Sequence, residues 1–327
     1  MPSFLYKPLT DGELNAVITQ SLHTGIASSR LLTGGMFNTT YFIESTEGKK
    51  YVLRVGPVNR HLLVPYEHRL MEAEAHFYSL CKEKNIPVSN VVVCDTSKSI
   101  IDRDFMIVDF IESETLFAVP MDDKRMEKLA YEIGIEAAKM HGITGFGNSA
   151  PKFGRVAELA DSPDKGFERW SDFLWDELMN WESVALPAQM FTPEEHETIR
   201  RIFSKEAPIL DEITTPGLLH NDFWHANILI RFEGETPKLA AFIDADRCFF
   251  GDPDFENISL RWMLDCPSYW EGYGKPLATD DHAVRRRHLY NILTYLWHAY
   301  VFKCEYDNIP EMHDRCRRVR EAMQNLL

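Results

Sequence analysis

Polar and apolar residues follow two different periods in the first third of the chain. Thr10 and Asp11 form a capping pair in front of a helix that runs to about Leu22. From Arg30 to Val55 the period shortens to two. TTYFIES and KKYVLRV carry β-branched and aromatic residues, with Glu47 and Gly48 as the turn between them, and this predicts strands. TGGMFN, residues 33–38, precedes them as a glycine-containing loop. Pro65 opens the run PYEHRLMEAEAHFYSLCKEKN, which reads as one long helix with proline in its first turn. Residues 91–94 and 104–111 read as another strand pair around a polar connection.

Helical spacing then takes over. Residues 122–141 place Leu129, Ile133, Ala137 and Met140 on one face, and Gly142 is the stop. Residues 167–181 give another helix. Thr192-Pro193-Glu194-Glu195 is a capping box that starts a helix to about Lys205. Two short strands, 227–232 and 239–243, interrupt the helices and are joined by EGETP. Helical segments near 254–264, 281–306 and 310–327 complete the chain. The expected class is α+β and bilobal. Residues 1–111 form a β-rich lobe with one long helix, and residues 112–327 form a mainly helical lobe.

Composition narrows the function. With 327 residues, 45% of them hydrophobic, the chain can bury a sizeable core. Its six cysteines are scattered without a CxxC pair, which fits a reducing cytosol and not a zinc site. No secretory signal and no apolar run long enough to span a bilayer is present, so the expected location is cytoplasmic. The formal net charge of -15 argues against nucleic acid or an anionic membrane as partner. It is compatible with a cationic substrate, although acidity for solubility is the simpler reading.

The chemistry gathers in LLHNDFWHANILI, residues 218–230. Two histidines, two asparagines and an aspartate sit between apolar ends, where unpaired polar groups are costly. His220-x-Asp222-x4-Asn227 is followed by a hairpin ending in Asp244-Ala245-Asp246. This is the arithmetic of protein kinases, H-x-D-x4-N and then a metal-binding aspartate. Asp222 is the expected base or orienting group for an acceptor hydroxyl. Asn227 and Asp244 are the expected oxygen ligands of Mg²⁺, which offsets phosphate charge. His220 is read as a brace. Alone the motif is weak, since Asn, Asp and His cap turns everywhere. Its order after a glycine loop and a strand cation is what gives it weight.

The upstream half supplies the nucleotide side. Gly34, Gly35 and Asn38 form the loop expected to approach phosphates. Arg54, in mid-strand, is expected to grip phosphate oxygens, the alternative being an edge-strand arginine facing water. Either Glu72 or Glu74 could hold it, and Glu74 is preferred. Met106, Asp109, Phe110 and Ile111 cross between the lobes, where backbone could read the base and side chains supply an apolar slot.

Through GGMFNTTYFI, YVLRV, EAHFYSLCKEKNIPV, FMIVDFI, AAKMHG, LLHNDFWHANILI and FIDADRCFFGDPDFE, the chain resembles the aminoglycoside phosphotransferase and choline kinase-like superfamily over nearly its whole length. The resemblance implies a protein-kinase-like fold, ATP or GTP with Mg²⁺, and a small-molecule hydroxyl as acceptor. It also implies a structural turn at Gly251-Asp252-Pro253. Four positions depart from the family pattern: Asn221 where Gly is common, His225-Ala226 where a small or Pro-Gly pair is frequent, Arg54 for Lys, and Ala245 beside Asp246. None removes a required group. A catalytically inactive nucleotide-binding module and a metal-dependent hydrolase are the competing classes. Antibiotic, choline-like amine, sugar and homoserine-like alcohol all remain open as acceptors. Trp262, Asp265, Tyr269 and Trp270, in the region after Gly251, are the expected lining of the acceptor pocket.

Overall fold

Alternation along KYVLRV puts Tyr51, Leu53 and Val55 on one face and Val52 and Arg54 on the other. That parity decides where the nucleotide-side cation points. The computed structural model describes residues 3–32, 37–256, 260 and 263–327. Helix α1 (Asp11–Leu22) begins with the Thr10 capping box, in which Glu13 N–H donates to Thr10 Oγ1 and Thr10 N–H to Glu13 Oε2. Strands β1 (Ile26–Leu31), β2 (Thr39–Ser45), β3 (Lys50–Val55), β4 (Val91–Asp95) and β5 (Phe105–Asp109) form an antiparallel sheet in the order β1-β2-β3-β5-β4. On one face, Leu14, Val17 and Ile18 of α1 meet Ile43, Leu53, Val55 and Ile107. On the other, α2 (Leu70–Glu83) packs Phe77, Leu80 and Cys81 in one core with Met106 and Val108. Arg54 lies opposite Met106 in the ladder, so it emerges on the α2 side.

Beyond β5 the order is β6 (Glu114–Thr115), α3 (Asp123–His141), β7 (Gly154–Arg155), α4 (Val156–Asp161), α5 (Trp170–Ala185), α6 (Pro193–Leu210), β8 (Gly217–Leu219), β9 (Ile228–Glu233), β10 (Thr236–Phe242), β11 (Phe249–Gly251), α7 (Pro253–Glu256), α8 (Pro267–Tyr273), α9 (Asp281–Tyr300) and α10 (Ile309–Gln324). Two small sheets are embedded here, β10-β9-β6 and β7-β11-β8. Mixed sheet and helix match the α+β class expected from the sequence.

Several boundaries differ, each for a local reason. The run from Pro65 starts as a 3-10 turn, Pro65–Arg69, before α2. The expected EGETP connection shrinks to Gly234 and Glu235, with Gly234 at φ 63, and Pro237 is part of β10. Proline is tolerated there because β10 is an edge strand. Helix α6 runs past Lys205 to Leu210 and includes Pro208. The last turn of the expected 281–306 helix is a π turn, Val301–Glu305. Of the 254–264 segment, α7 accounts for three residues, 254–256, and 257–259, 261 and 262 lie outside the described residues.

Trp170, Phe173, Trp181, Phe249, Phe255 and Tyr290 anchor the helical core of α5, α6, α9 and α10. Gly251 allows this closeness, since a Cβ there would lie 2.6 Å from the rings of Trp170 and Phe249. Asp252 accepts the Tyr290 hydroxyl at 2.6 Å and the Asp254 N–H at 3.0 Å, which fixes the turn. A second core runs from α2 and β5 through α3, β8 and β10, so apolar packing continues from the large sheet into the helical half. Among the described residues no helix is long and apolar enough to cross a membrane.

Candidate active site

Strands β8 and β9 are the apolar ends of LLHNDFWHANILI, and Leu218, Leu219, Ile228 and Ile230 are buried. Between them the polar groups are satisfied from several directions. Asp222 N–H donates to His220 Nδ1 at 3.3 Å, so the ring proton sits on Nε2 and is donated to the Ile243 carbonyl at 2.9 Å. Burial lowers the His220 pKa and keeps the ring neutral. Glu256 accepts the backbone N–H of His220 at 2.5 Å and of Asn221 at 3.0 Å. Asn221 itself sits at φ 62 and donates Nδ2 to the Arg247 carbonyl at 3.1 Å. Left-handed backbone explains the departure noted in the sequence, because Asn is the side chain that best replaces Gly there.

Asn227 Nδ2 donates to both the backbone O and the Oδ2 of Asp222, each at 2.9 Å. Burial, followed by the charge of Asp244, pushes the Asp222 pKa up to about 7. Ile243 N–H donates to Asn227 O at 3.0 Å, which sets the Asp222–Asn227 pair beside Asp244.

Arg54 leaves β3 between three carboxylates. Nη1 bonds Glu74, Nη2 bonds Asp244, and Asp246 Oδ2 lies 3.4 Å from Nη2. Glu74 is the partner, while Glu72 is taken by Arg69 at 2.6 Å. Tyr78, one helical turn after Glu74, donates to Glu74 Oε1 at 2.5 Å and accepts the Asp244 N–H at 3.2 Å. Burial alone would lower the Arg54 pKa, but Asp244, Glu74 and Asp246 together hold it well above its ordinary value. Burial alone would raise Asp244, and Arg54 together with Arg247 outweighs it, so that carboxylate stays ionised. Burial raises Asp246, with Asp244 adding to the effect.

Carboxylate oxygens of Glu74, Asp244 and Asp246 all lie within 4.8 Å of one another. Asn38 Nδ2 donates to Asp246 Oδ2 at 3.3 Å, while Asn38 Oδ1 and Glu74 Oε2 are buried without hydrogen-bond partners. An all-oxygen set with orphaned acceptors fits a hard divalent cation such as Mg²⁺.

The remaining expected residues are less alike. Met106 is wholly buried in the apolar core. Asp109 is engaged throughout: its N–H donates to Asn90 O at 2.9 Å, its carbonyl accepts Ser89 Oγ at 2.7 Å, and its side chain accepts Asn90 Nδ2 at 2.9 Å. Phe110 N–H donates to Lys50 O at 3.1 Å, and its ring packs edge-on to Phe42 at 4.9 Å. The Ile111 carbonyl accepts the Ser113 hydroxyl at 2.9 Å. Gly34 and Gly35 lie outside the described residues.

A cavity of about 570 Å³ opens beside Asp222. The loop gives it Asn221, Asp222 and Trp224; α5 gives Phe173 and Glu177; α9, the π turn and α10 close the wall. The residues expected to line an acceptor pocket lie elsewhere. Asp265 is exposed and Tyr269 is fully buried, Trp270 Nε1 donates to the Leu264 carbonyl at 2.9 Å, and none of the three borders the cavity. Trp262 lies outside the described residues. Sequence reasoning also passed over Tyr78, Arg247 and Glu256. Tyr78 had a signal, its spacing of four from Glu74. The other two act through contacts far along the chain.

Residues 28–289 match the model of the phosphotransferase enzyme family. A probable ketoamine kinase of Vibrio vulnificus is 20% identical over 281 residues, covering 84% of this chain and 87% of that protein. Among solved structures, APH(2″)-IIa in its ternary complex with streptomycin and ATP superposes with a TM-score of 0.61 at 19% identity, covering 97% of both chains. The GDP and kanamycin complex of APH(2″)-IIia gives 0.64 at 15% identity, covering 96% of this chain and 99% of that one. At such identities the superpositions establish the shared fold.

Proposed function

We propose that this chain, which belongs to the phosphotransferase enzyme family, moves the terminal phosphate of ATP or GTP to a hydroxyl of a small molecule. That it is a small-molecule phosphotransferase follows from the family and its kinase relatives. The donor, the metal and the residue roles are our reading. One observation carries them: Asp222, fixed by Asn227, stands on the cavity wall, and the Arg54–Glu74–Asp244–Asp246 cluster lies directly behind it. The ATP and GDP held by the two structural neighbours support a nucleotide donor.

In this reading Asp222 orients the acceptor hydroxyl and takes its proton. Asn227 and Asp244 hold Mg²⁺, with Asp246 as a further oxygen donor. When bound, the ion offsets charge on the phosphate oxygens. Arg54, anchored by Glu74, exchanges its Asp244 contact for phosphate oxygens, where a guanidinium bonds in a fork. Gly34, Gly35 and Asn38 line the phosphate side. Met106 packs beneath the nucleotide base. The bonds already made by Asp109 and Phe110 leave Ile111 as the backbone that reads its edge. The junction at 111/112 is the hinge between a nucleotide lobe and an acceptor lobe.

The test is acceptor-dependent formation of ADP or GDP by the purified protein with Mg²⁺, across a panel of hydroxylated compounds. Turnover that survives Asp222→Asn unchanged, or nucleotide cleavage indifferent to any acceptor, sinks the proposal.

A further inference from the structure

The chain carries a net charge of -15, yet the wall of its cavity does not. Arg155, Arg247, Arg315 and Arg318 line it, and among the described lining residues the carboxylates are Asp222 and Glu177 alone. Glu177 is spent, because Arg155 Nε donates to one of its oxygens at 2.9 Å and Arg155 Nη2 bonds the other. Asp222 is held by Asn227 and assigned to the reacting hydroxyl. Arg155 is spent with Glu177, and Arg247 pairs with Glu67 at 3.0 Å and Asp246 at 3.5 Å, so a polyammonium acceptor would find no free carboxylate here and the arginines left to meet a ligand are those of α10.

Helix α10 supplies two of the four arginines. Asp314 bonds Arg315 Nη1 at 2.5 Å and Arg318 Nε at 2.8 Å and also pairs with Arg317, which Glu321 holds as well, so Arg318 has only a share of one carboxylate among these contacts. Glu311 stands 2.9 Å from Arg315 Nη2. Within the same wall Arg315 Nε and Trp297 Nε1 are buried donors without an acceptor. His298 feels the arginines: burial, then Arg315 and Arg247, push its pKa down to about 4. Much of the rest of the wall is aromatic, including Phe173, Phe249, Trp297 and Phe302. Trp224 on this wall is 38% exposed and its ring centroid lies 6.0 Å from that of Phe117, itself 64% exposed.

Resting on the phosphotransfer reading of this same site, we propose that the acceptor is an anionic alcohol. Its apolar or aromatic body fills the cavity, its hydroxyl meets Asp222, and its carboxylate or phosphate meets Arg315 and Arg318 of α10. A cavity of about 570 Å³ suits one molecule of drug-like size. In the reaction the acceptor oxygen forms a bond to the terminal phosphorus as the bond from that phosphorus to the bridging oxygen breaks. The bridging oxygen leaves on the nucleoside diphosphate, and the hydroxyl proton goes to Asp222.

Four acceptor panels separate the possibilities: hydroxycarboxylic acids, alcohols bearing a phosphomonoester, neutral polyols and aminoglycosides. Binding is read by quenching of tryptophan fluorescence, since Trp224 and Trp297 line the cavity, and turnover by diphosphate release. The expected result is binding and turnover in one or both anionic panels, and the panel that responds identifies the anion. Arg318→Glu and the milder Arg318→Gln should raise the acceptor KM about tenfold, with kcat changed far less. Preference for aminoglycosides or neutral polyols overturns the proposal. So does an absence of binding in both anionic panels while nucleotide still raises the melting temperature. Loss of the nucleotide response itself counts instead against the phosphotransfer reading.

Discussion

Asn221 and Asp244 share left-handed backbone, at φ 62 and φ 64, on the two loops that carry Asp222 and Asp246. A β-branched side chain in that region is strained by about 1–2 kcal/mol. Asn221→Val should therefore destabilise the protein by about that amount in urea unfolding, while Asn221→Gly keeps the loop. Asp222 gives a second outcome with opposite signs for stability and function. Its folded-state pKa of about 7 lies above the ordinary 3.8, so between those values the folded protein retains a proton that the unfolded chain has released. Stability from this group thus falls as pH rises through that window. Asp222→Asn cannot ionise and should gain stability over the parent at pH 8 but not at pH 4, by urea titration at each pH. The same variant should lose about 10²–10⁴-fold in kcat, the usual worth of general-base help. The polar residues of this loop were legible in the sequence by spacing. The reason for Asn221 was not, because its side chain and backbone are held by Arg247 and Glu256, 26 and 35 positions away.

Among elements, α2 does more than cover a sheet. It carries Glu74 to Arg54 and Tyr78 to both Glu74 and Asp244, which joins the large sheet to the hairpin loop. Glu74→Ala leaves Arg54 to Asp244 and Asp246 but removes the acceptor of the buried Tyr78 hydroxyl, at a cost of about 1–3 kcal/mol. It should destabilise by that order and raise the nucleotide KM, measured by melting and by steady-state kinetics. Gly251→Ala should cost about 1–3 kcal/mol through overpacking against Trp170 and Phe249. The long elements were readable because a helix such as α3 or a strand such as β3 spans enough residues for its period to register. Strands β6, β7, β8 and β11 have two or three residues each, too few for any period. Phe249 of β11 pairs with Arg155 and Leu219, far back in the chain, and no local pattern announces that. For the same reason the cavity was sought just after Gly251, whereas its wall is assembled from α5, α9 and α10.

For the whole molecule, the Arg54 cluster and the shared apolar core make the two halves mutually dependent. A ligand that binds only the folded state stabilises it by about 2.7 kcal/mol at a hundred times its Kd. ATP or GTP with Mg²⁺ should accordingly raise a single cooperative melting transition, and EDTA should remove much of that rise. Two separated transitions would show that the halves unfold independently. A different consequence follows from the π turn, Val301–Glu305, where α9 makes room for one more residue than an α-helix holds. Each residue of an α-helix advances by about 100°. Deleting a single codon here would restore ordinary winding and swing Phe302 and Tyr306 off the cavity wall. The phosphate side, built on β3, α2 and the 220–247 loops, lies outside that change. On the acceptor reading of this cavity, single-codon insertions or deletions at one helix end should change which acceptor is taken, measured by acceptor KM, while the phosphate side keeps its contacts.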